Sequence, residues 1–230
     1  MQPIIQVENL IKKYRMGSEV VAVLNGIELQ IYPGEILSIL GTSGSGKTTF
    51  LNLVSGLERP TKGKIVIDGH NLSKISEKRM SAFRRRYIGF VFQLYNLLPA
   101  FTALENAMLP LILEGVAPRE REKRGRALMQ QVGLAERLQH KPSELSGGQR
   151  QRVSIARALI NNPRIIFADE PTGNLDSKTA AEILELLIST VRAQGQTMLM
   201  VTHDAHVAGH ADRIIEMVDG MIVNYEQKNT

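Results

Sequence analysis

The stretch "GEILSILGTSGSGKTTF", residues 34–50, joins an apolar run to a glycine-rich turn and a lysine. Its first part is typical of a strand buried on both faces, and a helix is predicted from Lys47 to about Gly56. The turn "GTSGSGKT" (41–48) matches the pattern G-x-x-x-x-G-K-[ST]. In that pattern, glycines let backbone amides surround a phosphate, and the helix N-terminus adds positive potential. The stretch therefore predicts a phosphate-binding loop in an α/β fold.

Each residue of this loop has an expected role in holding a nucleotide. Lys47 is expected to bridge the β- and γ-phosphate oxygens and to assist catalysis. Thr48 is expected to bind Mg²⁺ through its hydroxyl, and Thr49 to reach the α-phosphate. Backbone amides of the loop should point at the β-phosphate, helped by the helix dipole. The predicted nucleotide-binding set is completed by Gly41, Thr42, Ser43, Gly44, Ser45 and Gly46.

Upstream of the loop, alternating apolar and polar residues predict an antiparallel sheet. The segments "IIQVENL" (4–10) and "VVAVLNGIELQI" (20–31) are separated by the turn-like "MGSE". Downstream, "GKIVIDG" (63–69) and "YIGFVFQ" (87–93) predict two further strands. Strand signals are then missing from 94 to about 160, where three stretches have the pattern of helices.

From residue 164 onward strands and helices alternate again, and "RIIEMVDGMIVN" (213–224) predicts a terminal hairpin. We therefore expect one domain over 1–230 in the α/β class. Its core is predicted to be a P-loop NTPase (RecA-like) core with an N-terminal antiparallel β-subdomain. An α-helical subdomain is predicted to be inserted at about 94–160.

Two acidic residues follow the predicted strand in "RIIFADE" (164–170). Ligand sites in parallel sheets lie at the carboxyl ends of the strands, so Asp169 is expected to hold Mg²⁺ there. Glu170 is expected to polarise the attacking water. The alternative is an acidic turn with no catalytic role. These parts indicate an ATPase or GTPase, and kinases and helicases share them; the base-reading N-K-x-D motif of GTPases is not found.

A second glycine-rich helix start lies in "LSGGQRQRVSIARAL" (145–159). Ser146 offers a hydroxyl, Gly147 and Gly148 offer amides, and a helix begins there, which makes a second anion site. The chain has one phosphate loop for its own nucleotide. The second site is therefore expected to bind a phosphate held by another chain.

At this point the sequence resembles the ATP-binding cassette (ABC) ATPases over nearly its whole length. "LSGGQ" at 145–149 matches the signature motif of that family at every residue. The resemblance implies a homodimer in which two copies pack head to tail around two ATP molecules, with Mg²⁺. It also implies contacts with the ATP of the other copy from Ser146, Gly147, Gly148, Gln149 and Asp176.

Further family motifs occur in the expected order. The resemblance assigns Gln93 to the Mg²⁺ and the attacking water, His203 to the γ-phosphate as a catalytic residue, and Tyr14 to stacking on adenine. For Tyr14 the alternative is an ordinary exposed tyrosine. The predicted Mg²⁺ ligands are thus Thr48, Gln93 and Asp169. A structural or surface role is expected for His70, His140, His206 and His210.

The segment "FQLYNLLPAFTALENAMLPLIL" (92–113) resembles cassettes of lipoprotein release, macrolide efflux (LolD-like and MacB-like) and antimicrobial-peptide export. In that group the cassettes pair with integral membrane permease subunits, so the resemblance implies docking near 93–113. Apolar residues in this loop suggest a docking groove, although burial inside the helical subdomain is the alternative. They are Leu94, Tyr95, Leu97, Leu98, Pro99 and Phe101.

Composition limits the location and the partners. No apolar run approaches the ~20 residues that span a bilayer, so we expect no direct insertion. The resemblance to transport cassettes implies a peripheral position on the cytoplasmic face of the inner membrane. The net charge is +5. The basic group at 118–126 alternates with glutamates, which favours a solvated helix face, and no nucleic-acid partner is expected. The alternatives are an ABC ATPase acting on nucleic acid and one regulating cell-wall hydrolysis at division.

Overall fold

The computed structural model describes residues 2–227 of a chain that forms two compact units. One unit comprises Met1–Arg84 and Gly195–Thr230, and the other comprises Arg85–Gln194. The extreme ends of the predicted 1–230 domain, residues 1 and 228–230, lie outside the described residues. The single domain with an insertion at 94–160 stays a prediction.

Strands come first and last along the chain, with most of the helices between them. In chain order the strands are β1 (Ile5–Met16), β2 (Glu19–Ile31), β3 (Ile36–Leu40), β4 (Lys62–Ile67), β5 (His70–Asn71), β6 (Ile88–Val91), β7 (Ile165–Asp169), β8 (Thr197–Thr202), β9 (Arg213–Val218) and β10 (Met221–Gln227). The helices are α1 (Lys47–Val54), α2 (Glu77–Tyr87), α3 (Ala103–Leu113), α4 (Pro118–Gln131), α5 (Gly147–Leu159), α6 (Ser177–Ala193) and α7 (Ala205–Ala208).

The first unit contains the predicted antiparallel sheet. Strand β1 lies between β2 and β4, and β4 also pairs with β5. Buried residues alternate with exposed ones along the end of β2, where Ile27, Leu29 and Ile31 point inward. This period of two is the pattern that a half-buried strand requires.

The same unit holds a parallel arrangement around β3. Strand β3 pairs in parallel with β8 on one side and β9 on the other. Its residues Ile36, Leu37 and Ile39 are fully buried, as expected for a strand covered on both faces. Strands β9 and β10 form the predicted hairpin, whose two turn residues have positive φ, 46° at Asp219 and 73° at Gly220.

Helix α2 was not predicted from the sequence. It carries the sequence "RRR" at 84–86, and only Met80 and Phe83 are buried on it. Two buried apolar residues are too few for the 3.6-residue repeat of an amphipathic helix to be recognised in the sequence. The three arginines at 84–86 therefore lie on a helix that the sequence pattern did not indicate.

The second unit pairs β6 with β7 in parallel, in register from Ile88 opposite Ile165 to Val91 opposite Ala168. Within the described residues, the chain between these two strands contains helices and turns but no strand. Helix α4 begins at Pro118, and its exposed face carries an ion pair of 2.7 Å between Arg126 and Glu122. The expected solvated helix face is therefore confirmed.

Helix α5 is the best-buried helix of the second unit. Its apolar side chains Val153, Ile155 and Ala156 are fully buried.

Among residues 2–227, no helix is long and apolar enough to cross a membrane.

Candidate functional site

The phosphate loop of the first unit runs from the end of β3 to the start of α1. Gly46 caps α1 with φ of 100°, a left-handed conformation that a side chain would strain. A Cβ at this position would also lie 3.0 Å from Leu24 and 3.1 Å from the Val23 carbonyl. The first amides of a helix have no acceptor within the helix itself, and a helix N-terminus of this kind favours an anion.

The side chain of Lys47 is held by the backbone of this loop. The side chain is buried, and its Nζ donates to the carbonyl oxygens of Gly41 at 2.7 Å and Thr42 at 2.8 Å. Next to it, Thr48 is exposed in the first turn of α1, and Thr49 is half-buried. The ammonium group of Lys47 and the side chain of Thr48 therefore lie beside the helix N-terminus, and their contacts with a nucleotide stay a prediction.

His203 lies next to the start of the phosphate loop. Thr202 ends β8 opposite Leu40, and the Gly41 amide donates to the Thr202 carbonyl at 3.3 Å. His203 follows Thr202 directly and is exposed. The structure thus places this histidine at the same edge of the parallel strands as the loop, as expected for a group that contacts a nucleotide phosphate.

Tyr14 lies in β1, and its hydroxyl is tied to the region after α1. It donates to Glu58 Oε2 at 2.6 Å, and the ammonium of Lys12 lies 4.7 Å from the ring centre. Burial, followed by the contact with Glu58, raises the pKa of Tyr14, which keeps the phenol protonated. These contacts fix the ring. Adenine stacking by Tyr14 stays a prediction.

In the second unit, Gln93 lies two residues after the end of β6, and Asp169 is the last residue of the neighbouring parallel strand β7. Glu170 comes directly after Asp169 and has a positive φ of 46°. The carbonyl of Gln93 accepts from Asn174 Nδ2 at 2.9 Å, and a Cβ at Gly173 would lie 2.9 Å from Gln93 Nε2. Gln93 therefore lies against the turn that follows Glu170.

Ser146 caps α5 through a reciprocal pair of hydrogen bonds with Gln149. Its Oγ accepts from the Gln149 amide at 3.2 Å, and Gln149 Oε1 accepts from the Ser146 amide at 3.0 Å. This capping box keeps the start of the helix in shape. Ser146 is exposed and Gly147 is half-buried, so the predicted contacts with another chain are sterically open at these two residues.

The second glycine of the signature has a packing role that sequence reasoning missed. Gly148 is buried, and a Cβ there would lie 2.5 Å from Thr179 Cγ2 on α6. At Gly147 the nearest atom, on Leu175, would be 3.2 Å away. Glycine at position 148 thus lets α5 and α6 approach each other.

We expect Gly148→Ala to be about 1–3 kcal/mol less stable than Gly147→Ala, because only the first variant overpacks the contact with Thr179. The pair is matched, since both changes remove a glycine from the first turn of α5. Adding Thr179→Ser, which deletes the clashing methyl group, should recover much of the loss in Gly148→Ala. Urea unfolding midpoints measure this. Equal midpoints for the two alanine variants would contradict the packing role.

Asp176 caps α6 and is exposed. Its Oδ1 accepts from the Thr179 amide at 3.0 Å. Hydrogen bonds from the side chain and backbone of Thr179 lower the pKa of Asp176, so the carboxylate is charged at neutral pH. Its predicted contact with a second cassette stays a prediction.

The loop after Gln93 exposes part of the predicted docking groove. Leu94 is 74% exposed and Leu98 is 40% exposed. Pro99 is also exposed, whereas the remaining predicted groove residues are half-buried: Tyr95, Leu97 and Phe101. The burial alternative therefore holds for one side of the loop. The other side presents exposed leucines, and docking there stays a prediction.

A half-buried arginine and a fully buried asparagine, both missed by sequence reasoning, hold the backbone of this loop. Arg157 of α5 donates to the carbonyls of Asn96 at 2.6 Å and Tyr95 at 2.7 Å, and its burial lowers the pKa to about 10. Asn106 of α3 accepts from the Leu98 amide at 2.7 Å and donates to the Leu98 carbonyl at 3.1 Å. The loop is therefore rigidly supported.

The predicted Mg²⁺ ligands suit a metal ion that is bound partly by the protein and partly by the phosphates of a nucleotide. Between residues 2 and 227, no three His, Asp or Glu side chains gather as a metal site. The predicted set contains one carboxylate, Asp169, with oxygen atoms from Thr48 and Gln93. Mg²⁺ is commonly held by one or two carboxylates together with phosphates and waters, so this donor set suits it. The assignment stays a prediction.

Comparison with known proteins identifies several relatives. The family described as "ABC transporter" matches residues 24–173. The "Lipoprotein-releasing system ATP-binding protein LolD" of Pseudomonas fluorescens is 47% identical over 220 residues, which is 96% of this chain and 97% of that protein. The "Macrolide export ATP-binding/permease protein MacB" of Wolinella succinogenes is 47% identical over 98% of this chain, which spans only 35% of that longer protein.

Solved structures of one cassette are also similar. The dimeric structure of the ATP-binding cassette MJ0796 in a post-hydrolysis state, bound to ADP and Pi, is 43% identical with a TM-score of 0.91. A second dimeric structure of the same cassette is 44% identical with a TM-score of 0.92. Each alignment covers 98% of this chain and 99% of the other. The predicted fold class is thereby confirmed.

Proposed function

This chain belongs to the ABC transporter family as an ATP-hydrolysing ATP-binding cassette, and from that membership we propose that it is the motor subunit of a membrane transport system. Two copies bind two ATP molecules between them and separate after hydrolysis. Their movement drives membrane subunits that export or release a lipoprotein, a peptide or a drug. The names of the lipoprotein-releasing and macrolide-export relatives support this class of cargo.

In the proposed mechanism, the phosphate loop and Tyr14 bind the substrate ATP. Lys47 donates to the β- and γ-phosphate oxygens from the loop that already holds its ammonium group. Thr49 binds the α-phosphate. Tyr14 stacks on adenine, and stacking of a base on an aromatic ring contributes ~1–3 kcal/mol.

Hydrolysis is assigned to residues at the ends of β6, β7 and β8 and at the start of α1. Thr48, Gln93 and Asp169 would hold Mg²⁺, which offsets charge that develops on the transferred phosphoryl group. Glu170 accepts the proton of the attacking water, a contribution of ~10²–10⁴ in rate. His203 donates a hydrogen bond to the γ-phosphate and fixes its orientation.

The signature helix acts on the ATP of the other copy in this proposal. Ser146 is exposed at the N-terminus of α5, and the helix dipole there favours an anion. Gly147 and Gly148 supply amides, and Gln149 holds Ser146 in place through the capping box. Asp176 contacts the second copy. The two dimeric structures of a similar cassette support this assembly.

The observation that carries the transport function is the supported loop after Gln93. Leu94 and Leu98 are exposed while Arg157 and Asn106 hold the backbone beneath them. An apolar surface on a rigid base suits the docking of a helix from a membrane partner. Since Gln93 begins the same loop, a change at the nucleotide can move the docked partner.

We expect Leu94→Asp to reduce co-purification of the integral membrane subunit from native membranes about tenfold, as loss of one interface anchor commonly does. A buried carboxylate opposed to an apolar helix is strongly unfavourable. The ATPase activity of the isolated cassette should stay close to that of the unchanged protein. The measurement is quantitative mass spectrometry of the material retained with each variant.

The matched control for this experiment is Val223→Asp, which places the same charge on a 54% exposed valine of β10. It should retain the membrane subunit. Equal retention by Leu94→Asp and the unchanged chain would refute docking at this loop. Loss in both variants would show a general effect of charge and would also refute it.

The chain is proposed to bind the cytoplasmic face of the inner membrane through this partner. The curated relatives compared above are named for export and lipoprotein release. Neither an ABC ATPase acting on nucleic acid nor a regulator of wall hydrolysis is favoured by them.

A further inference from the structure

Gln151 is a buried amide on α5, five residues after Ser146. Its side chain is fully buried, and Nε2 donates to the carbonyl of Pro171 at 2.5 Å. The same nitrogen lies 3.4 Å from the carbonyl of Phe92, as a second and longer hydrogen bond. One NH₂ group therefore joins the signature helix to two separate backbone segments of the second unit.

Both segments carry residues assigned to hydrolysis. Pro171 follows Glu170, and the Glu170 backbone is in the left-handed region at φ of 46°. A non-glycine residue in such a conformation persists only where its surroundings fix it. Phe92 precedes Gln93. The two hydrogen bonds of Gln151 therefore act on the residue immediately after the proposed general base and the one immediately before the proposed Mg²⁺ and water ligand.

The oxygen of the same side-chain amide, Oε1, argues against a role of Gln151 in stability alone. Within the described part of the chain, Gln151 Oε1 is buried and has no hydrogen-bond partner. A buried polar atom without a partner destabilises the folded protein, because it gives up its hydrogen bonds to water without replacing them. A methionine of similar length would avoid that cost. Glutamate would set a carboxylate against two carbonyl oxygens, so the position needs an NH₂ donor.

We propose that Gln151 is a positioning residue for hydrolysis, which holds Glu170 and Gln93 in register with the signature helix. This rests on the assignment of Glu170 as general base. In an intact dimer, the signature helix of each copy contacts the ATP bound by the other copy. Gln151 therefore also links that helix to Glu170 and Gln93, which act on the ATP of their own chain. Small misplacements of reacting groups lower rates steeply, by up to about 100-fold for 1 Å.

The test is Gln151→Met in the full chain. We expect kcat for ATP hydrolysis to fall about 10- to 100-fold. The affinity for a fluorescent ATP analogue should equal that of the unchanged chain. The urea unfolding midpoint should stay the same or rise. Combining Gln151→Met with Glu170→Gln should lower the rate no further than Glu170→Gln alone, because the two residues act as a unit.

Ser154→Ala is the matched control, since Ser154 lies on the same helix, is fully buried and has a hydroxyl without a partner among the described residues. It should leave kcat unchanged. A normal kcat in Gln151→Met would overturn the proposal, and so would a loss that only follows the unfolded fraction. If Glu170→Gln keeps full activity while Gln151→Met does not, the assignment of Glu170 fails and the register role of Gln151 toward that residue fails with it.

Discussion

Replacing Glu170 with glutamine is expected to slow ATP hydrolysis about 10²–10⁴-fold while ATP still binds, because glutamine keeps the shape of the side chain but cannot accept a proton. The residues assigned to ATP binding are unchanged in this variant. ATP that binds without being hydrolysed should hold two copies together. Single-turnover hydrolysis measures the rate, and sizing chromatography with Mg·ATP detects the trapped dimer.

The control for this variant is Glu185→Gln, which removes the same charge from an exposed position on α6. Its hydrolysis rate should equal that of the unchanged chain. The assignment of Glu170 fails if Glu170→Gln hydrolyses ATP at the normal rate. Elution as a monomer in Mg·ATP, with hydrolysis blocked, would instead contradict the ATP-held dimer.

The sequence predicted the phosphate loop well because its signals are local. A strand covered on both faces, glycines with positive φ and a helix start all lie within residues 34–50. Each signal depends on neighbouring residues, so no distant contact was needed to recognise it. The same holds for the hairpin at Asp219 and Gly220, where a two-residue turn fixes the pairing.

The supporting contacts of the second unit could not be predicted because they join distant parts of the chain. Arg157 holds a carbonyl 62 residues away, and Gln151 holds Phe92 across 59 residues and Pro171 across 20. In the sequence, both look like ordinary polar positions of an amphipathic helix. Only packing in the fold reveals which polar side chain meets a backbone carbonyl.

Some local sequence patterns have structural roles in addition to the contacts that were predicted from them. Ser146 and Gln149 have the S-x-x-Q spacing of a capping box, and Asp176 precedes α6 as an N-cap residue should. The sequence interpretation gives all three only contacts with another chain. The structure gives each of them a role within its own chain, and that role is compatible with the proposed contact because all three side chains lie at helix starts.

Mixing two inactive variants should restore ATP hydrolysis, if each site takes its signature from the other copy. Ser146→Arg replaces an exposed serine with a bulky side chain, and loss of such an anion-site donor lowers rates ~10²–10³-fold. Glu170→Gln lacks the general base. In a mixed dimer, one site pairs the intact Glu170 of the first variant with the intact Ser146 of the second. When the variants are mixed in equal amounts, about a quarter of the normal activity is expected, since half of the dimers are mixed and each has one of its two sites complete.

The two variants are mixed as monomers before Mg·ATP is added, because Glu170→Gln alone is expected to form trapped dimers. The control mixes Ser146→Arg with the double variant Ser146→Arg/Glu170→Gln, so no dimer contains a complete site and no activity should return. A mixture that forms dimers yet stays inactive would mean that Ser146 serves the ATP of its own chain. That result would remove the reason for two copies to close around ATP, since the phosphate loop alone already binds the nucleotide in each copy.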